Sequence, residues 1–420
     1  MATLEAILGY DNIKSAALAV RRNKGAAGVD GMKPNELIKW FYDHPYMLTE
    51  SIRNGEYKPQ PIKRVYIPKP NGEKRPLGIS TVVDRTVQAA VANVLRDEYE
   101  SQFSDNSHGF RPNRGCHTAI NQALKYANEG YTYAVDLDLR KFFDTVNHSK
   151  MLQVLHKTVK DSRVMQLISR MLKVKVMENG KCTKSQIGLP QGSAVSPVLA
   201  NILLNELDQE LDRRGHKFVR YADDMVILCK SQRAAERVLE SVTKFIEDKL
   251  FLQVNKEKTH VSKLSPQVKF LGFGFLQRKD GKWVATVHAK SRTKFRDKMR
   301  EILDRRCPKG IEATQKLFNS VLRGWVNYYK IAISKSYGAN EDGWLRRRIR
   351  QIYLKTWKRN WTRFERMWAL HDNAPEMEIR CAEVAFSHEA YWPRARTANH
   401  VLTNEILYNE GWQTIVALKA

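Results

Sequence analysis

The stretch KFVRYADDMVILCK (217–230) constrains this chain more than any other, because two apolar runs flank a pair of adjacent aspartates. Strand-forming residues on both sides of a short polar break read as a β-hairpin. Its turn is Ala222-Asp223-Asp224, so two carboxylates sit together at the tip. Neighbouring carboxylates repel each other, and a cation relieves the repulsion. An isolated Asp-Asp pair is most often a solvated turn, but the longer string argues otherwise. With 16 tyrosines and 20 aspartates in 420 residues, Tyr-x-Asp-Asp is expected by chance about 0.04 times per chain. A third carboxylate, Asp138, ends the strand-like run YTYAVDLDL (131–139) and joins the pair if that strand lies beside the hairpin. Phosphoryl transfer from a nucleotide uses two Mg²⁺ ions roughly 3.5–4 Å apart. Mg²⁺ prefers a few carboxylates completed by phosphate oxygens and water.

Charge points to the partner. Lys plus Arg number 71 against 45 acids, a net charge of +26, which predicts a polyanion, usually nucleic acid. Membrane lipid is the rival, but no run of about 18 apolar residues exists and MATLEAILGYDN has acids where a signal peptide has basic residues. Cysteines 116, 182, 229, 307 and 381 form no CxxC pair, which suits neither a zinc site nor a disulfide framework. The expectation is a cytoplasmic protein, associated with nucleoid or ribonucleoprotein, that does not engage membranes.

Residues 1–60 read as short helices. Runs 64–67 and 76–79 with PNG between them read as a basic hairpin. Helices are expected over 82–101, 116–129 and 141–157. In SPVLANILLNELDQELDRRG (196–215), Ser196 is expected to cap a helix, Pro197 suits its first turn, and Leu199, Leu203, Leu207 and Leu211 form an apolar stripe. A helix at 231–249 and the apolar run VKFLGFGF (268–275) follow. Residues 291–370 hold 21 basic and 7 acidic side chains and five of the nine tryptophans lie in 321–370, so an α+β front gives way to a basic, aromatic, helical back.

These strings resemble reverse transcriptases. RYADDMVIL resembles the YxDD box, VDLDLRKFFDTVNH (135–148) the first carboxylate motif, and GLPQGSAVSPVLANILLNELD (188–208) the glutamine-glycine box. IPKPNGEKRPLGI (67–79) resembles the fingers hairpin, SHGFRPNRGCHTAI (107–120) the box after it, and RGWVNYYK (323–330) the maturase or X domain. Their order and combination resemble the reverse transcriptases of bacterial group II introns, in a form lacking the C-terminal HNH endonuclease domain. The resemblance implies a right-hand polymerase fold: fingers and palm with an antiparallel sheet packed by helices, then an all-helical thumb. The implied domains are an N-terminal extension and fingers (1–120), palm (121–285), thumb (286–370) and a small, DNA-binding C-terminal segment (371–420).

Carried over box by box, the resemblance makes Asp138, Asp223 and Asp224 catalytic metal ligands. Asp138 is preferred to Asp136 because the aromatic gate stands five positions later, at Phe143, where it would clash with a ribose 2′-hydroxyl. Asp136 and Asp144 are then structural. Lys69 and Arg75 would grip the triphosphate, Gln191 and Gly192 would line the nucleotide pocket, and Leu271 and Gly272 would form the primer grip. Lys258 is a candidate general acid toward pyrophosphate. Ser193 departs from the family, which has a second glycine there. The implied activity adds dNTPs to a primer 3′-hydroxyl on RNA or DNA templates with two Mg²⁺ ions, for which Mn²⁺ could substitute, together with maturase help to a parent intron RNA in splicing and mobility. The partners so implied are RNA template, DNA primer, RNA/DNA duplex, dNTPs and intron RNA.

In WLRRRIRQIYLKTWKRNWTRF (344–364), arginines alternate with aromatics. Arg346, Arg347, Arg348, Arg350, Lys358 and Arg359 are candidate phosphate contacts. An amphipathic helix with its aromatics inward explains the same pattern. Two other readings stand beside the polymerase: a non-catalytic RNA-binding splicing cofactor, and a related reverse transcriptase recruited to defence or repair.

Overall fold

Alternating apolar runs broken by Gly, Asn and Pro fold into short strands, and the longer 3.6-period runs fold into helices around them. A computed structural model describes residues 2–68, 72, 74–184, 187–388 and 396–420. Two compact units emerge, Met1–Lys263 and Leu264–Ala420.

The first unit carries two four-stranded sheets among the described residues. One contains β1 (Ile62–Pro68), β2 (Lys74–Ile79), β4 (Lys175–Glu178) and β5 (Lys181–Lys184). Its order is β2-β1-β4-β5, antiparallel except for the parallel β1–β4 pair. The β1–β2 hairpin is the predicted basic one. The helix Ser162–Leu172 and the β4–β5 hairpin after it were not expected from the sequence.

The second sheet positions the site. It consists of β3 (Tyr133–Leu137), β6 (Lys217–Tyr221), β7 (Asp224–Cys229) and β8 (His260–Lys263), in the order β6-β7-β3-β8 and wholly antiparallel. Every residue of β7 from Met225 to Cys229 is buried, so both faces of the sheet are covered. Helix Cys116–Asn128 lies on β6 and β7, and helix Gln232–Leu250 on β3, β7 and β8. The predicted leucine stripe of helix Ser196–Arg213 is fully used: Leu199, Leu203, Leu207 and Leu211 enter the same core as Val135, Leu137, Phe218 and Ile227. Each such side chain contributes about 1.5–3 kcal/mol when removed from water, which fixes the hairpin on its helices.

Two local expectations are corrected. Ser196 is the first helical residue, not the cap, and its hydroxyl donates to the Pro190 carbonyl at 2.8 Å. The helix expected over 141–157 breaks into Phe142–Thr145 and His148–His156, because the Asn147 side chain accepts from Lys150 N–H and starts the second helix afresh.

The second unit begins with a two-stranded sheet, β9 (Phe273–Gln277) and β10 (Trp283–Val287), and continues in helices, the longest being Lys335–Thr356. Trp325 of RGWVNYYK stacks on buried Phe295 with centroids 4.1 Å apart and lies against Tyr329 and Tyr337, all three half-buried. The chain end is fastened to the longest helix. The Asp342 carboxylate accepts from the Ile415 and Val416 N–H groups at 2.7 and 3.1 Å, and buried Trp412 donates to Tyr353 Oη at 3.0 Å. No helix of the described residues is long and apolar enough to cross a membrane.

Candidate active site

β6 and β7 close with Tyr221 opposite Asp224, leaving Ala222 and Asp223 as a two-residue turn. Asp224 therefore opens β7 instead of sitting in the turn. Ala222 has φ +57°, a left-handed conformation that a non-glycine residue holds only at a cost of about 1 kcal/mol or more. Its surroundings enforce it. Arg220, 1% exposed, donates to the Ala222 carbonyl at 2.9 Å while also bonding Asp208 at 2.8 Å, Asn201 Oδ1 at 2.9 Å and Ser107 Oγ at 2.9 Å. From outside, Gly109 lies so close that a Cβ there would collide with the Ala222 backbone nitrogen. The Gly109 carbonyl is itself held by Asn201 Nδ2 at 2.7 Å. Arg220, Asp208, Asn201 and Gly109 were not singled out from the sequence, although each lies inside a quoted box. Arg220 between the apolar residues of its strand was the available signal, since a charged residue there is almost never buried unpaired.

The register brings the backbone of Asp138 beside the hairpin end. Leu137 on β3 pairs with Met225 on β7, and one residue further toward the turn lie Asp138 and Asp224. Antiparallel neighbours at that step have Cα atoms about 4.5–5.5 Å apart. Asp138 is half-buried and fixed by a single turn of chain behind it. Asn255 Nδ2 donates to Asp138 Oδ1 at 3.1 Å, Asn255 N–H to the Asp138 carbonyl at 2.8 Å, and Asp138 N–H to Thr259 Oγ1 at 3.1 Å. Lys258 Nζ lies 3.6 Å from Asp138 Oδ2. Asp136 points from mid-strand, paired with Val226 and His260. The donor set at the tip is all carboxylate oxygen, which fits Mg²⁺ or Mn²⁺ and not a thiophilic metal. Among the described residues no three His, Cys, Asp or Glu side chains are grouped so as to hold a metal ion. Water and substrate phosphates would complete the shell, as Mg²⁺ favours.

Beside this tip, the turn after β3 meets the glutamine-glycine loop. Leu189 N–H donates to the Phe143 carbonyl at 2.6 Å and Gly188 N–H to the Val146 carbonyl at 2.8 Å. Phe142 is buried, and Phe143 stands partly exposed edge-on to it at 5.2 Å. Phe143, Gly78, Pro190 and Gln191 line a cavity of about 290 Å³. Gln191 Nε2 donates to Asp144 Oδ1 at 2.8 Å, and Gly78 N–H donates to the Gln191 carbonyl at 2.7 Å. Gly192, at φ +99°, would place a Cβ 2.5 Å from the Gly78 carbonyl, so its bareness lets the β1–β2 hairpin dock. Ser193 is buried with its hydroxyl unpartnered. Lys69 lies outside the described residues. Arg75 is placed only by its backbone, opposite Ile67 in the hairpin.

Leu271 and Gly272, φ +50° and +84°, are the two turn residues between Phe270 and Phe273, which exchange both backbone hydrogen bonds. Tyr328 Oη holds the Leu271 carbonyl at 2.9 Å and Ser291 Oγ the Gly272 carbonyl at 2.9 Å. The Tyr-Tyr of RGWVNYYK thus supports the candidate primer grip. Among the basic candidates, Arg347, Lys358 and Arg359 are exposed and Arg346 is half-buried. Arg348 donates to the Leu303 carbonyl at 3.0 Å and lies over Trp344, whose ring Arg296 and Arg300 also face. Arg350 is corrected: it is 4% exposed, donates to the Leu402 carbonyl at 2.7 Å and to Asn404 Oδ1 at 3.0 Å. Burial lowers its pKa to about 10. It fastens the C-terminal segment and presents nothing to a phosphate.

His108, beside Gly109, gives the site a pH dependence. Its Nδ1 lies 2.9 Å from Thr118 Oγ1, whose own proton goes to the Gly115 carbonyl, so the neutral Nδ1–H tautomer fits. Burial, and after it the Arg114 and Arg111 guanidinium groups, pushes the pKa down to about 4. An unfolded histidine takes its proton near pH 6.5. Between those values the unfolded chain binds the extra proton, so the histidine's contribution is complete above about pH 6.5 and is lost as pH falls toward 4. Thermal melts over that window are expected to fall less steeply for His108→Gln than for the wild type. Parallel curves would show that the histidine is not buried neutral.

Residues 67–275 match the family described as reverse transcriptase (RNA-dependent DNA polymerase), and residues 292–370 match the group II intron maturase-specific domain. The group II intron-encoded protein LtrA of Lactococcus lactis is 30% identical over 77% of this chain and 68% of its own length. Protein YkfC of Escherichia coli K12 is 32% identical over 64% of this chain and 81% of its own length. The Retron Ec86 reverse transcriptase of E. coli is 24% identical over 65% of this chain and 78% of its own length.

Proposed function

Because the chain belongs to the group II intron-encoded reverse transcriptases, and is thus an RNA-directed DNA polymerase with a maturase domain, we propose that Asp138, Asp223 and Asp224 hold its catalytic Mg²⁺ ions. The carrying observation is the register that sets Asp138 beside Asp224, with Asp223 in the turn between β6 and β7. Polymerases of this family depend on divalent metal and act on nucleic acid. Two ions held there would supply activation of the primer 3′-hydroxyl and neutralisation of the departing pyrophosphate.

The chain's own groups do the rest. Asn255 and Thr259 fix Asp138, and Arg220 and Gly109 fix the turn, so the carboxylates need little rearrangement when substrate arrives. The dNTP enters the cavity between Phe143 and Gln191, with Lys69 and Arg75 of the hairpin on its phosphates. Phe143, braced by Phe142, bars a 2′-hydroxyl. Leu271 and Gly272 hold the primer end, while Arg346, Arg347, Arg348, Lys358 and Arg359 receive the duplex or intron RNA backbone. On this reading residues 1–120 are N-terminal extension and fingers, 121–285 palm, 286–370 thumb and 371–420 a DNA-binding segment.

The test is extension of a DNA primer on an RNA template with dNTPs and Mg²⁺. Synthesis is expected. A folded protein that makes none on several templates, yet binds RNA, would place the splicing-cofactor reading ahead. Phe143→Ala is expected to raise ribonucleotide incorporation relative to dNTPs by at least about ten-fold, since steric exclusion of one small group is typically worth 1–3 kcal/mol. Competition between rNTP and dNTP in single-nucleotide extension measures it, and unchanged discrimination would remove Phe143 from the gate.

A further inference from the structure

The two oxygens of the Asp138 carboxylate have different partners. Oδ1 accepts from the Asn255 amide at 3.1 Å, and Oδ2 faces the Lys258 ammonium at 3.6 Å. Both partners come from one helical turn, in which Lys258 N–H and Thr259 N–H donate back to the Asn255 carbonyl at 3.2 and 2.9 Å. Residues three and four apart on such a turn share a face, so Asn255, Lys258 and Thr259 reach Asp138 together. Their mobility differs. Asn255 has a short side chain and is tied to Asp138 through its backbone as well, whereas Lys258 carries its charge on a four-carbon stem that is 67% exposed.

We propose that Lys258 is a displaceable cation on Asp138: it covers Oδ2 in the enzyme without an ion and yields that oxygen to an incoming divalent cation. Asn255 keeps the carboxylate oriented through the exchange. This rests on reading Asp138 as a metal ligand. The magnitudes favour exchange over blockade. An exposed ion pair is weak and a divalent ion gaining hard oxygen ligands readily overcomes it, while a buried pair of the kind Arg220 makes with Asp208 would not release. Lys258 also relieves the repulsion that Asp138 and Asp224 exert on each other before an ion arrives. Both groups are positioning residues in this scheme, acting on the metal through Asp138.

The two substitutions therefore shift metal affinity in opposite directions, which a purely structural role for the loop does not. The experiment is Mn²⁺ titration of the full chain without nucleotide, following free Mn²⁺ by electron paramagnetic resonance, with far-UV circular dichroism of every variant. Lys258→Met is expected to bind Mn²⁺ about two- to five-fold more tightly, the fold-change equivalent of an exposed ion pair. Asn255→Ala is expected to bind about ten-fold more weakly, as when a group orienting a ligand is removed. Lys258→Arg, which keeps the charge, should match the wild type. Asp138→Asn decides the premise: if it leaves Mn²⁺ binding unchanged, Asp138 is not a ligand and the proposal goes with it. If Asp138→Asn removes the site but Lys258→Met binds no more tightly than the wild type, the ligand stands and the displaceable cation is overturned.

Discussion

Asp138→Asn is expected to lower primer extension by on the order of 10³-fold, as removal of a group that stabilises transition-state charge does, while Asp136→Asn keeps activity within about ten-fold of the wild type. The two carboxylates sit two residues apart on one chain segment, so composition cannot separate them. The sheet can. Asp136 pairs with Val226 and His260 inside the ladder, whereas Asp138 lies past the last pair, Leu137–Met225, beside Asp224. Two residues of strand carry a side chain about 6.6 Å along the sheet, more than a metal–oxygen bond can span. Asn255, Thr259 and Lys258 also converge on Asp138. Asparagine keeps the shape and removes the charge, so kcat should fall with little change in melting temperature. Equal losses in both variants would mean that the ladder does not decide the ligand.

Three strands of the sheet were legible because they are apolar and the turn is charged: a Tyr-x-Asp-Asp between buried runs leaves few other foldings, whereas β8, His-Val-Ser-Lys, is short and polar and was not expected. The leucine stripe of helix 196–213 was legible by the same period argument, and all four leucines are buried. The hairpin at 175–184 escaped because its strands are four residues long and lysine-rich. Its Asn179-Gly180 pair was nonetheless a hairpin signal, and both residues have positive φ. Arg350 was misread for a different reason. Arginine in a basic, aromatic helix looks the same in sequence whether it faces water or the Leu402 carbonyl. Only the tertiary fold shows that residue 350 lies on the same inward side as Ile349 and Tyr353. The support of the aspartates was illegible too, since Arg220, Asp208, Asn201 and Gly109 are distant in sequence and meet only when β6 is laid beside the 105–115 loop.

That support leads to the largest expected change in stability. Asp208→Ala should cost about 3–5 kcal/mol, the usual consequence of leaving a buried charge without its partner. Arg220 is 1% exposed and Asp208 0%, so neither reaches water without opening the core. Burial pushes the Asp208 carboxyl up and the Arg220 guanidinium draws it back down, which makes the pair interdependent. Against a typical total of about 5–15 kcal/mol, the single variant should melt far earlier or fail to accumulate. Removing both charges, as in Asp208→Leu with Arg220→Met, should recover part of the loss, because apolar replacements of buried pairs are often neutral. Recovery stays incomplete, since Ser107 Oγ, Asn201 Oδ1 and the Ala222 carbonyl lose a donor, at about 1–3 kcal/mol for each group left unsatisfied. Primer extension below both melting temperatures then separates two roles of one arginine. If Arg220 only fills the core, the double variant regains activity along with stability. If it also holds Ala222 at positive φ, stability returns in part while activity does not, because the turn that presents Asp223 and Asp224 is no longer fixed.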